Sequence, residues 1–317
     1  MKRKLNIDFA GFGSSYPLEK RLVYRLVARH YEICREGSPD YVIVQGASLS
    51  DHYRFGDSVK IVLNGENCVP DFNAFDYAIG FDHLNFGDRY LRCPLFAMYR
   101  SFGDLVNRSV AMSDGKLLNR KFCSFVVSNI DFGDPIRRKF FERLSKYKKV
   151  DSGGRWNNNV GGPVKDKLAF CCGYKFNIAF ENSAYNGYTT EKNMEAYAAE
   201  SVPIYFGNPT IETDFRLESM VRVKGEQDIE RAVEEVIRLD NDDAAYLAKC
   251  RERCFAVADP TVYECELESF LVNIFEQPLE SARRCCKYGY QQMMREHMRK
   301  MMAVDRWIGK ARKLMHV

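Results

Sequence analysis

Four charged residues of this chain stand where group-transfer chemistry would need them: Glu66, Arg137, Glu191 and Lys192. Glu66 follows the apolar run Val59-Lys60-Ile61-Val62-Leu63 by way of Asn64-Gly65. A carboxylate at a strand end can take a proton from a bound hydroxyl, or it can simply cap the next turn. Glu191 and Lys192 close the stretch Phe180-Glu181-Asn182-Ser183-Ala184-Tyr185-Asn186-Gly187-Tyr188-Thr189-Thr190, which separates a strand-like run from a helical one. A helix starting near Thr189 or Thr190 would offer free N–H groups and a positive dipole end, which favour an anion. Glu191 suits that dipole unaided. Lys192 does not, unless an anion sits beside it. Gly187 and Asn186 give the backbone freedom for a tight approach. Arg137, just inside another predicted helix with Asp134 as its N-cap and Pro135 in its first turn, is a second cation set against a dipole. Its fork suits a diphosphate, although an exposed arginine with no such role fits the same position.

These positions follow from the elements around them. Strand-like runs occur at 5–12, 41–45, 59–63 and 77–81, and a helical pattern of apolar residues spans 18–30. The pattern restarts at Phe122-Cys123-Ser124-Phe125-Val126-Val127-Ser128-Asn129. Further strands are predicted at 176–181, 202–206 and 220–223, with helices at 190–200, 226–239, 243–257 and 261–275. Strands alternating with helices imply an α/β chain of two Rossmann-like domains with parallel sheets. The joint falls near 105–120. The expected organisation is a first domain over 1–115, a second over 116–275 and a tail over 276–317. In doubly wound sheets ligands bind beyond the carboxyl ends of the strands, so two such halves facing each other would leave a cleft there.

Bulk properties narrow the class. The 317 residues carry 47 Lys and Arg against 43 Asp and Glu, but from Arg283 onward there are ten basic and two acidic residues, leaving 37 against 41 elsewhere. A mildly acidic globule with a basic tail is no argument for nucleic acid. The start Met1-Lys2-Arg3-Lys4-Leu5-Asn6-Ile7 lacks the apolar stretch of a signal peptide, and no apolar run approaches the ~18 residues of a spanning helix. Eleven cysteines without a C-x-x-C pair suggest reduced thiols and a cytoplasmic protein. The five histidines at 30, 52, 83, 297 and 316 form no ligand-like pair, so no metal site is expected. Asp240-Asn241-Asp242 matches a metal-holding D-x-D, but it lies between two amphipathic helices, where Asp242 as an N-cap is the better reading. Neither G-x-G-x-x-G nor a P-loop occurs.

Three segments, 64–82, 121–137 and 175–209, together resemble the α-1,3-fucosyltransferases of glycosyltransferase family 10, most of all the bacterial members. The likeness covers most of 1–275, and its most specific part is the run from F-E-N-S through T-E-K to the Pro-containing strand at 202–206. The resemblance implies a GT-B arrangement, GDP-fucose as donor, inversion at the fucose anomeric carbon, and a β-galactosyl-N-acetylglucosamine (N-acetyllactosamine-type) acceptor, with O3 of its GlcNAc as the expected target. It makes Glu66 the general base and Arg137 the diphosphate ligand. Asn182, Tyr188, Glu191 and Lys192 become the donor-binding set, with Ser128 and Asn177 as lesser donor-side candidates. No cofactor is expected to be required, with a divalent ion at most stimulating.

The tail departs from the family pattern, having no seven-residue repeat. Met294, Met298, Met301, Met302 and Ile308 lie at helical spacing among Arg295, Arg299, Lys300, Arg306, Lys310, Arg312 and Lys313. A helix packed on the domains and a basic amphipathic segment resting on an anionic inner membrane both fit. Two rival functions stay open: a transferase for another nucleotide-sugar donor, and a non-catalytic nucleotide- or glycan-binding protein. The second has no use for a base at Glu66.

Overall fold

The computed structural model describes residues 2–14, 16–46, 54–107, 111–286 and 288–314, without the side chains of 290, 291, 295 and 311–314. His52 and His316, and the side chains of Arg295, Arg312 and Lys313, lie outside the described residues. The chain divides into two units, one of residues 1–80, 84–93 and 264–317, the other of residues 81–83 and 94–263.

The first unit holds β1 (Arg3–Ala10), α1 (Leu22–His30), β2 (Tyr31–Cys34), β3 (Tyr41–Gln45), β4 (Val59–Leu63), β5 (Tyr77–Gly80) and β6 (Tyr90–Arg92). They form one parallel sheet in the order β2-β1-β3-β4-β5-β6. Every residue of β4 and β5 is buried, as central strands of a parallel sheet require, including Lys60, whose ammonium donates to Gly56 O and Ser58 O at 3.4 and 3.3 Å. In α1 the buried Val23, Leu26 and Val27 make one stripe. The predicted helix over 18–30 is broken, however. A 3₁₀ turn at Leu18–Lys20 ends at Arg21, whose extended backbone starts α1 afresh.

The second unit contains α2 (Arg100–Val106), α3 (Asp114–Leu118), β7 (Lys121–Phe125), α4 (Ile136–Ser145), β8 (Val150–Ser152), α5 (Lys167–Cys171), β9 (Tyr174–Phe180), α6 (Glu191–Ala198), β10 (Val202–Phe206), β11 (Val221–Arg222), α7 (Ile229–Asn241) and α8 (Asp243–Arg251). Its sheet is also parallel, ordered β11-β10-β9-β7-β8. Ile229, Ala232, Val233, Val236 and Leu239 give α7 its buried stripe. Asp242 caps α8 by accepting from the Ala245 N–H at 2.9 Å, as its position between two helical patterns predicted. The predicted helix over 243–257 stops at Arg251, because Phe255 instead bridges Phe215 in an antiparallel pair.

The last helices are α9 (Val262–Glu276), α10 (Leu279–Ala282) and α11 (Tyr290–Leu314). The unit boundary at Tyr263 lies inside α9 and differs from the boundaries drawn on the sequence at 115 and 275. Aromatic packing explains the difference. Phe275 sets its ring edge-on against Tyr31 and Tyr41 at 5.7 and 5.0 Å, which carries α9 into the first unit. Phe96 packs on Phe215 and Tyr263 at 4.7 and 5.3 Å, which carries residues 94–107 into the second. The tail is in part fastened: the Arg284 and Cys285 N–H groups both donate to Asp76 Oδ1 at 2.7 Å, and Arg284 pairs with Asp88 at 2.6 Å. No helix among the described residues is long and apolar enough to cross a membrane.

Candidate donor site and active-site carboxylate

The loop after β9 starts with a buried acid. Glu181 is fully buried, and its backbone N–H donates to Phe206 O of neighbouring β10 at 2.8 Å. Its two carboxylate oxygens accept from the Thr190 N–H at 2.7 Å, the Thr190 hydroxyl at 2.7 Å and Lys192 Nζ at 3.0 Å. Thr190 is the N-cap residue of α6, and its side chain makes no capping bond of its own because Glu181 engages it. Lys192 also donates to Thr190 Oγ1 at 3.1 Å, and Glu191 Oε1 lies 3.8 Å from Lys192 Nζ. Burial alone would push the Lys192 ammonium down, but Glu181 and Glu191 outweigh it and hold the group above the ordinary lysine range. Glu191 is shifted the other way. Burial opposes its charge, yet Lys192 and Lys167 pull it below the usual carboxylate value.

Arg137 enters the same neighbourhood from α4. Asp134 accepts from the Ile136 N–H at 3.0 Å, and its own N–H donates to Asn182 O at 2.7 Å, which ties the start of α4 to the loop after β9. The helix begins one residue later than predicted, with Pro135 at its N-cap. The Arg137 side chain is 2% exposed. Its Nη1 donates to Asn129 O at 3.4 Å, a long bond, and its buried Nε has no hydrogen-bond partner among the described residues. Burial pushes this guanidinium down from its ordinary value, with Glu181 pulling it up. A desolvated cation so thinly partnered is costly unless an anion completes it.

The remaining sequence-predicted residues fall into three environments. Asn182 and Ser128 are exposed at the carboxyl ends of β9 and β7. Tyr188 is buried, its ring 5.1 Å from that of Phe81. The loop carrying it is pinned from both sides: Gly187 N–H donates to Asn208 Oδ1 at 2.7 Å, and the Tyr185 hydroxyl donates to Asp82 Oδ1 at 2.9 Å. Gly187 has φ of +80°, and a β-carbon there would lie 2.1 Å from Phe81 O, so no other residue fits. Asn177 is buried inside the sheet, where its amide donates to Ser124 Oγ at 3.2 Å and Cys171 Sγ at 2.7 Å. Its amide nitrogen is thereby bonded to β7 and α5.

In the first unit Glu66 is exposed in a turn directly after β4. Buried Asn64 shapes that turn, its N–H donating to Ile79 O at 2.8 Å, its amide to Cys68 O, and its Oδ1 accepting from the Glu66 N–H at 3.4 Å. The carboxylate is thereby held at a strand end and available to solvent.

Asp240 does not present a metal ligand set. Its carboxylate accepts from the Tyr147 hydroxyl at 3.0 Å and from Lys148 Nζ at 2.7 Å. Among the described residues no group of three or more His, Cys, Asp or Glu is placed to hold an ion.

Comparison with known proteins identifies the family. Residues 7–99 match the α-(1,3)-fucosyltransferase FucT N-terminal domain, and residues 118–260 match the carboxyl-terminal domain of glycosyltransferase family 10 (fucosyltransferase). The chain belongs to glycosyltransferase family 10. This family 10 chain is 32% identical over 298 residues to the α-(1,3)-fucosyltransferase FucT of Helicobacter pylori, covering 82% of its own length and 62% of the relative's. It is 29% identical over 181 residues to the mouse GDP-fucose protein O-fucosyltransferase 3, covering 52% of itself and 38% of that protein. The chain thus spans less than two thirds of the curated relatives it matches. A crystal structure of an α1,3-fucosyltransferase with GDP-fucose superposes with a TM-score of 0.72 at 29% identity, over 87% of this chain and 92% of that one.

Glu181 and Asn208 are the residues that sequence reasoning missed. Glu181 had a signal: it is an acid appended without a break to the apolar run Phe176 to Phe180. Asn208 had none, since its bonds to Gly187 and Thr210 are made only in the fold.

Proposed function

We propose that this chain is an inverting fucosyltransferase that moves L-fucose from GDP-fucose to O3 of GlcNAc in a β-galactosyl-N-acetylglucosamine acceptor. The observation that carries the reading is Arg137, nearly fully buried with an Nε that has no hydrogen-bond partner among the described residues, in the same neighbourhood as Lys192 at the start of α6. These cations would meet the diphosphate and offset the charge that builds there as the fucosyl bond breaks. Glu66 would take the proton of the acceptor hydroxyl as that oxygen attacks the anomeric carbon from the opposite side, which inverts it. Asn182, Glu191 and Tyr188 would complete the donor site, Glu191 through the ribose or fucose hydroxyls. No step in this scheme needs a metal.

The donor half of the proposal draws support from relatives whose names specify GDP-fucose or were crystallised with it. One of them is named for a protein acceptor, so the acceptor proposed here rests on the family resemblance alone. The test is incubation of the full chain with GDP-fucose, and separately with a UDP-sugar, against a panel of disaccharides, with product linkage assigned by NMR. Transfer from GDP-fucose to O3 with an α-linkage is expected. Transfer from the UDP-sugar, or none from GDP-fucose, would overturn it. We further propose that α11 rests on an anionic membrane surface, on the strength of its exposed Met293, Met301, Val304 and Trp307 among lysines and arginines.

A further inference from the structure

We propose that Glu181 is a positioning residue for the donor site, holding Lys192 and the amino end of α6 in the arrangement that receives the diphosphate. The proposal rests on the donor-site reading above. Three observations lead to it. Glu181 is fully buried, an unusual place for a carboxylate, and such a group is kept only where specific partners compensate it. Among the described residues its side-chain hydrogen bonds all go to one short segment: the Thr190 N–H and hydroxyl, which start α6, and the Lys192 ammonium. The space it occupies is shaped around it, since a β-carbon on Gly207 would stand 2.4 Å from Glu181 Cγ.

The role follows from reach and rotamer freedom. A lysine side chain has four rotatable methylene bonds, and an ammonium left to solvent samples many positions at a cost in binding. Two contacts at 3.0 and 3.1 Å, to Glu181 Oε2 and Thr190 Oγ1, select one of them. The same carboxylate orders the N-cap residue, and so aims the first free N–H groups of the helix. Glu181 itself has no side chain surface to offer a ligand. It acts through Lys192 and Thr190.

A carboxylate near a diphosphate site would also repel the ligand, and this gives the proposal a sign. If Glu181 only added negative charge there, Glu181→Gln would tighten GDP. If it positions Lys192, the same change weakens GDP, by about tenfold, the scale of one charge-assisted hydrogen bond. The experiment is calorimetry with GDP on the full chain, as the parent, Glu181→Gln, Lys192→Ala and the double variant. Coupling is expected: the tenfold loss in the parent background should shrink to less than about threefold once Lys192 is absent. With GDP-fucose as substrate, Glu181→Gln should raise KM for the donor about tenfold and leave KM for the acceptor within about twofold. A general loss of structure would not move one KM alone.

Should Glu181→Gln fail to fold, Glu181→Asp is measured in its place. It keeps the charge and loses the reach, so the same coupled weakening is expected. Tighter GDP binding, unchanged binding, or equal losses with and without Lys192 would each overturn the proposal. No GDP binding by the parent would instead sink the donor-site reading on which it rests.

Discussion

A β-carbon built on Gly133 would stand 2.2 Å from Arg137 Nη1 and 3.0 Å from Arg137 Cδ. Glycine at that position is what lets the guanidinium lie down in its buried place. The clash is with a flexible side chain, so Gly133→Ala should displace the arginine more than it harms the fold. Expected are a thermal midpoint close to the parent's and GDP affinity lower by about three- to tenfold, the cost of losing good geometry at one charged contact. Unchanged affinity would place the diphosphate away from Arg137.

The D-x-D pattern makes a different kind of prediction. Asp240 carries a tyrosine hydroxyl and a lysine ammonium on one carboxylate, and its side chain is 3% exposed. Asp240→Asn should therefore cost about 1–3 kcal/mol of stability, by weakening a buried charge-assisted bond. Turnover at a temperature well below unfolding should stay within about twofold, and EDTA should leave most activity in place. Loss of activity restored by one divalent ion alone would mean that the phosphate site works through a metal.

Much of this arrangement was legible because parallel central strands announce themselves. β3, β4 and β10 lie at the residues predicted for them, since each is dominated by large apolar side chains, many of them β-branched, buried on both faces. The helix start at Glu191 was legible too, from Thr190 and the acid that follows it. The short strands β2, β6 and β8 were not. Each has three or four residues, and their pairing is decided by neighbours far along the chain. The same holds for Phe275, whose partners Tyr31 and Tyr41 lie more than two hundred residues away. Glu181 was hidden for another reason. Burial of an acid depends on who compensates it, and Lys192 and Thr190 do so only once the loop has turned back on itself.

The tail separates an anchor from a surface. Arg284 and Cys285 are bonded to Asp76, whereas in α11 Met293 is 64% exposed and Trp307 71%. Removing residues 288–317 should thus spare the fold and turnover on soluble acceptor. It should abolish sedimentation with phosphatidylserine vesicles at low salt, given about 1 kcal/mol per basic residue at such a surface. Equal sedimentation by the shortened chain would remove the membrane reading. Arg284→Ala, by contrast, should lower the thermal midpoint in the absence of any vesicle.

The last prediction divides the proposed base from the proposed phosphate ligand. Glu66 is exposed in the turn after β4, while Lys192 is held by Glu181 and Thr190. Glu66→Gln keeps the size of the side chain and its capacity to hydrogen-bond, but it cannot take a proton at neutral pH. Turnover should fall on the order of 10²–10⁴ fold, the range for a positioned base, with GDP affinity nearly unchanged. Lys192→Ala removes a charged contact worth roughly 1.5–3 kcal/mol, so GDP should bind about one to two orders of magnitude more weakly. That variant also leaves Glu181 buried without its ammonium, a loss that can cost about 3–5 kcal/mol of stability. Calorimetry must therefore be run where a melting curve shows the variant folded. Under those conditions the two changes should affect different measurements, Glu66→Gln the rate and Lys192→Ala the affinity. An active Glu66→Gln enzyme would transfer the proton elsewhere, and parent-like GDP binding by folded Lys192→Ala would leave the diphosphate to Arg137.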